Sequence, residues 1–341
     1  MDIKSEIKNE LNNKMQWRDP YDTEIFSSRI IRGLMKRSFY YFPELFYKTN
    51  VLKAHEWDEN YILLGFASYN LDLEDELDQI LKFLTSKIQW GLPVRWHSGK
   101  HIFPKGELMS TTTSEAILLL CDVKEKYNEK VDNEYLIKVG MNLLDTLNKV
   151  EHNELGYVYS YTRFDSYKVI NSNLLVCAAL KRLYDITNHN IFIEEYENLI
   201  NVLLNVIPSK GYIPYFIDGD EKSADSYHQL FCMRALYILN ENIFKKCEEY
   251  FEENFIDQYG VLFKVHQDSY DLQGLSEGIR YYGLTKNYQK FHELKDLLKN
   301  YKNNNSYTQK FSLQKNKLKK SNALYSRQGY LRLLCALSYE K

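Results

Sequence analysis

The sequence predicts an all-α fold, an (α/α)6 toroid, from one repeat and two features of its composition. Five short strand-like segments recur at intervals of roughly 50 to 65 residues, and an apolar helix with a polar first turn follows each of them. Only 14 Gly and 6 Pro occur in 341 residues, which is few for a sandwich or barrel with many tight turns. With 44% hydrophobic residues, the chain can bury a large core. The strand-like segments are 91–96, 156–161, 211–216, 260–265 and 310–314.

Apolar periodicity divides the predicted helices into two sets. The first set is rich in small and apolar residues, so we expect these inner helices to be buried on all sides. They cover 57–70, 111–127, 171–187, 225–240, 272–284 and 322–339. The second set is amphipathic, so we expect these outer helices to keep one face in solvent. They cover 74–88, 133–149, 190–206, 242–254 and 287–301.

Six inner helices require a sixth outer helix, and the segment from Thr23 to Tyr41 is predicted to supply it. By packing against the last inner helix it would close the ring, so residues 1–341 are expected to form one toroid domain, with residues 1–41 as the closing segment. The strand-like segments and the starts of the inner helices then meet at one mouth of the ring. Helix N-termini present unpaired N–H donors and partial positive charge, which favours an anionic ligand there.

Charge and cysteine content exclude several classes of function. Lys and Arg number 44 against 46 Asp and Glu, so no net field favours nucleic acid, and no apolar run of about 18 residues predicts membrane insertion. The charged start of the chain predicts a cytoplasmic protein. The five cysteines show no metal-ligand spacing and are expected to be buried thiols. No Gly-rich phosphate loop or HExxH motif occurs, so neither a metal nor a cofactor is expected.

The candidate site consists of aromatic, amide and titratable residues at the predicted mouth. His228 follows Asp225 by three residues, close to one helical turn, which predicts an oriented imidazole–carboxylate pair. The 29 tyrosines offer flat apolar faces and hydroxyls, which suit a carbohydrate. The predicted catalytic residues are His228, Asp225, Tyr161 and Asp165. The predicted substrate-binding residues are Trp96, His97, Tyr159, Asn171, Asn173, Tyr215, His266, Gln273, Tyr325, Arg327 and Asp22.

A structural interpretation competes with the functional one for several of these residues. Asn171, Asn173 and Asp225 are ordinary helix-capping types, and a cap alone contributes about 1 kcal/mol. Arg327 opens the last inner helix, where the helix dipole disfavours a cation. A ligand anion or a nearby carboxylate would offset that cost.

Four short motifs resemble a known family. They are Arg18-Asp-Pro-Tyr-Asp22, Gly156-Tyr-Val-Tyr-Ser-Tyr-Thr-Arg-Phe-Asp165, Asn171-Ser-Asn-Leu-Leu175 and Asp225-Ser-Tyr-His228. In this order they look like the motifs of bacterial α/α-toroid proteins found with exopolysaccharide and capsule genes, labelled polysaccharide biosynthesis proteins. Gln273 stands where that family has a histidine. The resemblance implies a six-hairpin fold and a role with glycans, and association with polysaccharide-assembly proteins is a further expectation.

Three functions remain open at the level of sequence. The favoured one is proton transfer on a uronic-acid-containing glycan, as in a lyase or C5-epimerase, with Asn171, Asn173 and Arg327 holding the carboxylate while His228 and Tyr161 exchange protons. Glycoside hydrolysis by paired carboxylates, Asp165 and Asp225, is an alternative. The third is a non-catalytic protein that binds glycans at the same mouth.

Overall fold

The computed structural model describes most of the 341-residue chain. The described residues are 2–12, 16–17, 28–42, 45–46, 49, 53–98, 101–265, 267–303, 306–314, 317–320 and 327–340.

Helices dominate the described residues. In chain order they are α1 Ile3–Asn12, α2 Arg29–Tyr41, α3 Asp58–Asn70, α4 Glu74–Leu84, α5 Ser110–Lys126, α6 Asn133–Thr146, α7 Ile170–Thr187, α8 Asn190–Val206, α9 Ser226–Ile238, α10 Phe244–Phe255, α11 Leu272–Leu284, α12 Tyr288–Asp296, α13 Leu298–Tyr301 and α14 Arg327–Leu337. Within these parts of the chain, every helix is too short or too polar to cross a lipid bilayer.

The strands are short and antiparallel. They are β1 Gln16–Trp17, β2 His55–Glu56, β3 Trp96–Ser98, β4 His101–Phe103, β5 Lys149–Glu151, β6 Tyr157–Tyr159, β7 Ser269–Asp271, β8 Lys302–Asn303, β9 Ser306–Tyr307, β10 Lys310–Gln314 and β11 Lys317–Lys320. They form the pairs β1–β2, β3–β4, β5–β6 and β8–β9 and the three-stranded sheet β11–β10–β7.

The predicted inner helices match the structure closely. The first five agree with α3, α5, α7, α9 and α11 to within two residues at each end, and α14 occupies the described part of the sixth. Of the outer helices, the one predicted for 190–206 matches α8 at both ends, whereas those predicted for 74–88 and 133–149 extend three or four residues beyond the observed C-terminal ends. The helix predicted for 133–149 stops at Thr146 because Lys149–Glu151 forms strand β5, which pairs with β6.

The chain divides into two compact units. The central unit contains Leu77–Gly91 and Gly106–Asn254, and the terminal unit contains Met1–Glu76, Leu92–Lys105 and Phe255–Lys341. In the central unit α7 packs against both α5 and α9, and it also packs against α6 and α8. Every residue of α7 from Ile170 to Leu180 is buried, whereas α8 buries a single face that includes Phe192, Leu199 and Leu203.

In the central unit, the first N–H of α5 and the first N–H of α7 are each bonded to the strand-like segment of the next repeat. Ser110 N at the start of α5 donates to the carbonyl oxygen of Tyr161 at 3.0 Å. Ile170 N at the start of α7 donates to the carbonyl oxygen of Tyr215 at 3.1 Å. Because the first N–H groups of a helix have no partner inside the helix, these bonds satisfy donors that burial would otherwise leave unpaired.

Side chains three residues into α5, α7 and α9 bind the strand-like segment of their own repeat or, for Thr113, the residue directly before it. These residues are Thr113, Asn173 and Gln229, and all three are fully buried. Their bonds are Trp90 N to Thr113 Oγ1 (3.3 Å), Thr113 Oγ1 to Trp90 O (3.1 Å), Tyr159 N to Asn173 Oδ1 (2.7 Å), Asn173 Nδ2 to Tyr159 O (2.9 Å), Ile213 N to Gln229 Oε1 (2.8 Å) and Gln229 Nε2 to Gly211 O (2.8 Å). Helices α5 and α7 are thereby bonded to two consecutive repeats, and α9 is bonded to the segment of its own repeat.

The glycines that open the strand-like segments permit close backbone contacts. Gly211 has φ +90°, and a Cβ there would lie 2.2 Å from the carbonyl oxygen of Lys246. At Gly91 a Cβ would lie 1.8 Å from the carbonyl oxygen of Glu107. A side chain at either position would require the backbone to move, which explains why these two segments begin with glycine.

In the terminal unit α14 packs against α3 and α11, and α1 packs against α14 and α3. Arg332 of α14 is nearly fully buried and forms ion pairs with Glu59 of α3 and Glu277 of α11. The guanidinium of Arg280 lies 4.6 Å from the centre of the Phe66 ring. These buried charges connect three helices, and removing one partner would leave an unpaired charge in the core.

The N-terminal region differs in detail from the prediction. Helix α1, which the sequence did not predict, packs on α14, and Tyr330 donates a hydrogen bond to Glu6 at 2.6 Å. The segment predicted as the closing outer helix contains α2. The motif from Arg18 to Asp22 lies outside the described residues. Closure of the ring by this segment, and the single domain over 1–341, stay predictions.

Replacing Asn173 with Ala should destabilise the protein by about 2–4 kcal/mol, because the buried N–H and carbonyl groups of Tyr159 would lose their partners. Urea denaturation measures this as a lower midpoint. Asn201→Ala, at an exposed position of α8, is the matched control and should change stability by less than about 0.5 kcal/mol. An Asn173→Ala variant as stable as the unaltered protein would contradict a structural role for this amide.

Candidate functional site

The first turns of α7 and α9 and the two loops that precede them bring most of the predicted site residues together in the central unit. These loops lie side by side, because Val169 forms an antiparallel bridge with Phe216 and Ile217 N donates to the carbonyl oxygen of Lys168 at 3.0 Å. The site is therefore built from two consecutive repeats.

Asp225 and His228 form the predicted imidazole–carboxylate pair. Asp225 caps α9: its Oδ1 accepts a hydrogen bond from His228 N at 3.0 Å, and its Oδ2 lies 2.7 Å from His228 Nδ1. Because an ionised carboxylate can only accept, the proton of this bond belongs to Nδ1. Within the described part of the chain, no group is hydrogen-bonded to Nε2. The imidazole is 27% exposed, so Nε2 is available as a base.

Aromatic rings flank the imidazole of His228. The ring centre of Tyr215 lies 4.6 Å away and that of Tyr227 lies 5.2 Å away, both edge-on. Burial raises the pKa of Tyr215, and the neighbouring Tyr161 and Asp225 raise it further. The Tyr215 hydroxyl therefore stays protonated near neutral pH and can donate a hydrogen bond.

Tyr161 is held in place through three groups. Its N–H donates to Asp165 Oδ1 at 3.0 Å, its carbonyl oxygen accepts from Ser110 N, and its hydroxyl lies 3.1 Å from Thr111 Oγ1. The phenol is half-buried. Thr111, the second residue of α5, thus orients a predicted catalytic hydroxyl, a contact between residues 50 positions apart that sequence reasoning missed.

The carboxylate of Asp165 is hydrogen-bonded by residues of its own loop. It accepts hydrogen bonds from Tyr161 N, Tyr167 N, Thr162 N and Thr162 Oγ1, at 2.7 to 3.0 Å. The residue is 5% exposed. This geometry supports a role in ordering the loop that carries Tyr161, and the predicted catalytic role of Asp165 stays a prediction.

Asn171 and Asn173 have different surroundings although both begin α7. The amide of Asn173 is fully used: it bonds the backbone of Tyr159 on both sides and the carbonyl oxygen of Val169. Asn171 is 4% exposed, and its Oδ1 has no hydrogen-bond partner among the described residues. A buried acceptor without a partner is costly, so Asn171 is the better candidate for a ligand contact.

The hydroxyl of Tyr159 belongs to a separate cluster. It donates to Glu195 Oε2 of α8 at 2.7 Å, and Tyr157 and Lys149 of the β5–β6 hairpin also donate to Glu195, at 2.5 and 2.7 Å. Burial alone would raise the pKa of Glu195, but the three hydrogen bonds and the charge of Lys149 lower it. The geometry gives Tyr159, which is fully buried, a structural role.

The remaining predicted residues belong to the terminal unit. Trp96 and His97 lie on β3, where the Trp96 ring centre is 5.2 Å from that of Phe103. Gln273 is the second residue of α11, and its N–H donates to the capping carboxylate of Asp271 at 2.9 Å. Asp22, His266 and Tyr325 lie outside the described residues, and Arg327 is described only as the first residue of α14.

A buried ion pair lies on the same two helices as Thr111 and His228. Arg234 of α9 binds Glu115 of α5 through both terminal guanidinium nitrogens. The Arg234 guanidinium lies 5.1 Å from the centre of the Phe231 ring, which in turn lies 4.7 Å from that of Tyr227. Sequence reasoning missed this pair, although a Glu and an Arg inside otherwise apolar helices were its signal.

Comparisons with known proteins were made for both sequence and structure. No protein-family model matches the sequence, and no curated protein matches it. Among solved structures, an α-amylase from Clostridium perfringens aligns with a TM-score of 0.60 and 17% identity over 85% of this chain and 87% of that one. A sugar epimerase from a ruminal bacterium aligns with a TM-score of 0.57 and 11% identity over 82% and 86%. A cellobiose 2-epimerase from Bacillus thermoamylovorans gives 0.56 and 11% over 82% and 86%.

At these identities the likeness concerns the fold. The neighbours have the (α/α)6 toroid fold, and the chain is all-α with small strand pairs, so the predicted fold class is confirmed.

Replacing Glu195 with Gln should destabilise the protein in a pH-dependent way. Because the folded-state pKa of Glu195 lies below its value in the unfolded chain, the carboxylate stabilises the fold above about pH 4.3, and this contribution disappears as the pH falls through the folded-state pKa. Unfolding midpoints measured from pH 3 to 8 should therefore differ most at neutral pH and converge in acid. Glu197→Gln, at an exposed position of the same helix, should give no pH-dependent difference; a constant gap for Glu195→Gln would contradict the assignment.

Replacing Asp225 with Asn should change the tautomer of His228. The carboxylate fixes the proton on Nδ1, whereas an amide can also present its NH2 group to Nδ1. Long-range ¹⁵N NMR of the imidazole should show an Nδ1–H tautomer in the unaltered protein and a mixed or Nε2–H population in the variant. If the unaltered protein showed Nε2–H as its main neutral tautomer, the described pair would be wrong.

Proposed function

We propose that the protein is a carbohydrate-active enzyme that transfers a proton at a ring carbon of a sugar, with Nε2 of His228 as the base. The observation that carries this proposal is the pairing of His228 Nδ1 with Asp225, which leaves Nε2 without a described partner beside two tyrosine rings. Asp225 orients the imidazole and stabilises its protonated form, as a carboxylate does in other base–orienter pairs.

Tyr161 is the proposed second proton-transfer group. Its hydroxyl is oriented by Thr111, and both Tyr161 and Asp225 are close enough to Tyr215 to raise its pKa. Proton return from a second group would invert a carbon centre, and protonation of a leaving oxygen would complete an elimination. His228 and Tyr161 therefore fit the proton transfers of both an epimerase and a lyase.

The proposed substrate is a glycan that contains a uronic acid. A carboxylate next to C5 acidifies the C5 proton, since the negative charge formed on its removal spreads onto the carboxylate oxygens. Asn171, at the positive end of α7, is the proposed contact for substrate oxygens. The rings of Tyr215 and Tyr227 offer apolar faces for a sugar. A role in exopolysaccharide or capsule formation, which the family resemblance implies, belongs to this proposal.

The structural neighbours support a carbohydrate substrate. Two of the three named above are described as sugar epimerases, and the third as an amylase. Hydrolysis by Asp165 and Asp225 has less support, because the Asp165 carboxylate accepts four hydrogen bonds from its loop and the Asp225 carboxylate is bonded to His228. Both carboxylates are hydrogen-bonded within the protein, which disfavours their use as a paired acid and base.

The function is tested by incubating the protein with uronic-acid oligosaccharides in D₂O and following the H5, H4 and anomeric signals by NMR. Deuterium at C5 or a new unsaturated uronate is the expected result. A new reducing end without unsaturation would mean hydrolysis, and shifted signals without product would mean binding alone; each of these would contradict the proposal.

Replacing His228 with Gln should lower kcat by about 10²- to 10⁴-fold, because the base is lost, while KM changes by less than about threefold. His292→Gln, an exposed position on α12, is the matched control and should leave both constants unchanged. Steady-state kinetics on the substrate found in the D₂O experiment supplies the measurement. Unchanged turnover in His228→Gln would remove His228 from the mechanism.

A further inference from the structure

Helix α2 in the terminal unit exposes an apolar face. Ile30, Ile31 and Leu34 are 75%, 46% and 60% exposed, and Phe42 and Leu45, which follow the helix, are 64% and 58% exposed. At 100° per residue, the three helical positions lie within an arc of about 100°. Only four other large apolar residues of the described chain are classed as exposed, Ile102, Leu155, Phe164 and Phe216, so five within Ile30–Leu45 are an unusual concentration.

The same helix is strongly basic. The stretch Arg29–Tyr41 contains Arg29, Arg32, Lys36 and Arg37 and no acidic residue, although the whole chain has a net charge of −2. Arg37 is exposed and lies one turn after Leu34, at the border of the apolar face. At 100° per residue, the positions of Arg29, Arg32 and Lys36 fall on the side of the helix opposite Ile30, Ile31 and Leu34, so α2 is a basic amphipathic helix.

We infer that α2 binds the surface of an anionic membrane. A basic amphipathic helix with aliphatic and aromatic residues on its other face lies in the interface of a bilayer, where the apolar side chains enter the acyl boundary and the cations contact acidic headgroups. This binding is peripheral and requires no membrane-spanning helix.

The charge pattern favours this partner over a second copy of the chain. A symmetric dimer through the apolar face of α2 would place Arg37 of both copies, at the border of that face, at the interface, and like charges at an interface are unfavourable. A lipid surface supplies the opposite charge and adapts its shape to the exposed side chains, so no complementary groove is needed.

The inference is tested by flotation of the full-length protein with vesicles of phosphatidylcholine, with or without about 30% phosphatidylglycerol. At low salt, binding to the anionic vesicles should be at least about tenfold stronger than to neutral ones and should weaken in high salt. The double variant Ile30→Glu, Leu34→Glu should lose this binding by about tenfold or more.

A matched double variant controls for added charge. Ile102→Glu with Leu155→Glu replaces two other exposed apolar residues, 47% and 40% exposed, and should bind the anionic vesicles like the unaltered protein. Circular dichroism on both double variants verifies that they are folded. The inference is overturned if the unaltered protein does not float with anionic vesicles, if the α2 variant floats equally well, or if that variant instead abolishes a dimer seen by sedimentation velocity. None of these readouts depends on the proposed enzymatic activity.

Discussion

The structure of the central unit depends on hydrogen bonds between the first turns of its inner helices and the strand-like segments, and α5 and α7 are bonded to two consecutive repeats. The first N–H of α5 or α7 binds the segment of the next repeat, and in α5, α7 and α9 a buried side chain three residues into the helix binds the segment of its own repeat or the residue directly before it. The strand-like segments are not part of a wide sheet, so some of their backbone N–H and carbonyl groups have no neighbouring strand to bond. Side chains such as Asn173 and Gln229 form these hydrogen bonds instead. Loss of one such side chain would leave buried backbone N–H and carbonyl groups without hydrogen-bond partners.

This arrangement places structural and chemical residues next to each other in the sequence. His228 directly precedes Gln229, and Asn171 lies two residues before Asn173. The side chains of Asn173 and Gln229 point into the core of the unit, whereas the capping residue Asp225 and its neighbours lie where the two loops before α7 and α9 meet. The rigid attachment of these turns keeps the Asp225–His228 pair in place before any ligand binds, which reduces the cost of organising a reactive group.

Local patterns predicted much of the fold and part of the site. The first five inner helices were predicted to within two residues at each end, because polar caps and uninterrupted apolar runs are local signals. The Asp225–His228 contact was predicted for the same reason, since three residues of helix bring the two side chains together. Tyr159 shows the limit of this reasoning: its motif predicted a ligand contact, but its hydroxyl donates to Glu195, a residue 36 positions later whose proximity no local pattern contains.

The sequence by itself determined the class of fold, the boundaries of the inner helices and the orientation of His228 by Asp225, because each follows from interactions within about one helical turn. The tertiary structure decided which of the predicted site residues in the central unit have hydrogen-bond partners within the protein. Asn173, Tyr159 and Asp165 are engaged by partners in other segments or in the folded loop, whereas Asn171 and Nε2 of His228 are not hydrogen-bonded by the described residues. Which side chains find hydrogen-bond partners depends on which segments fold against each other, and residue type and spacing alone do not predict this.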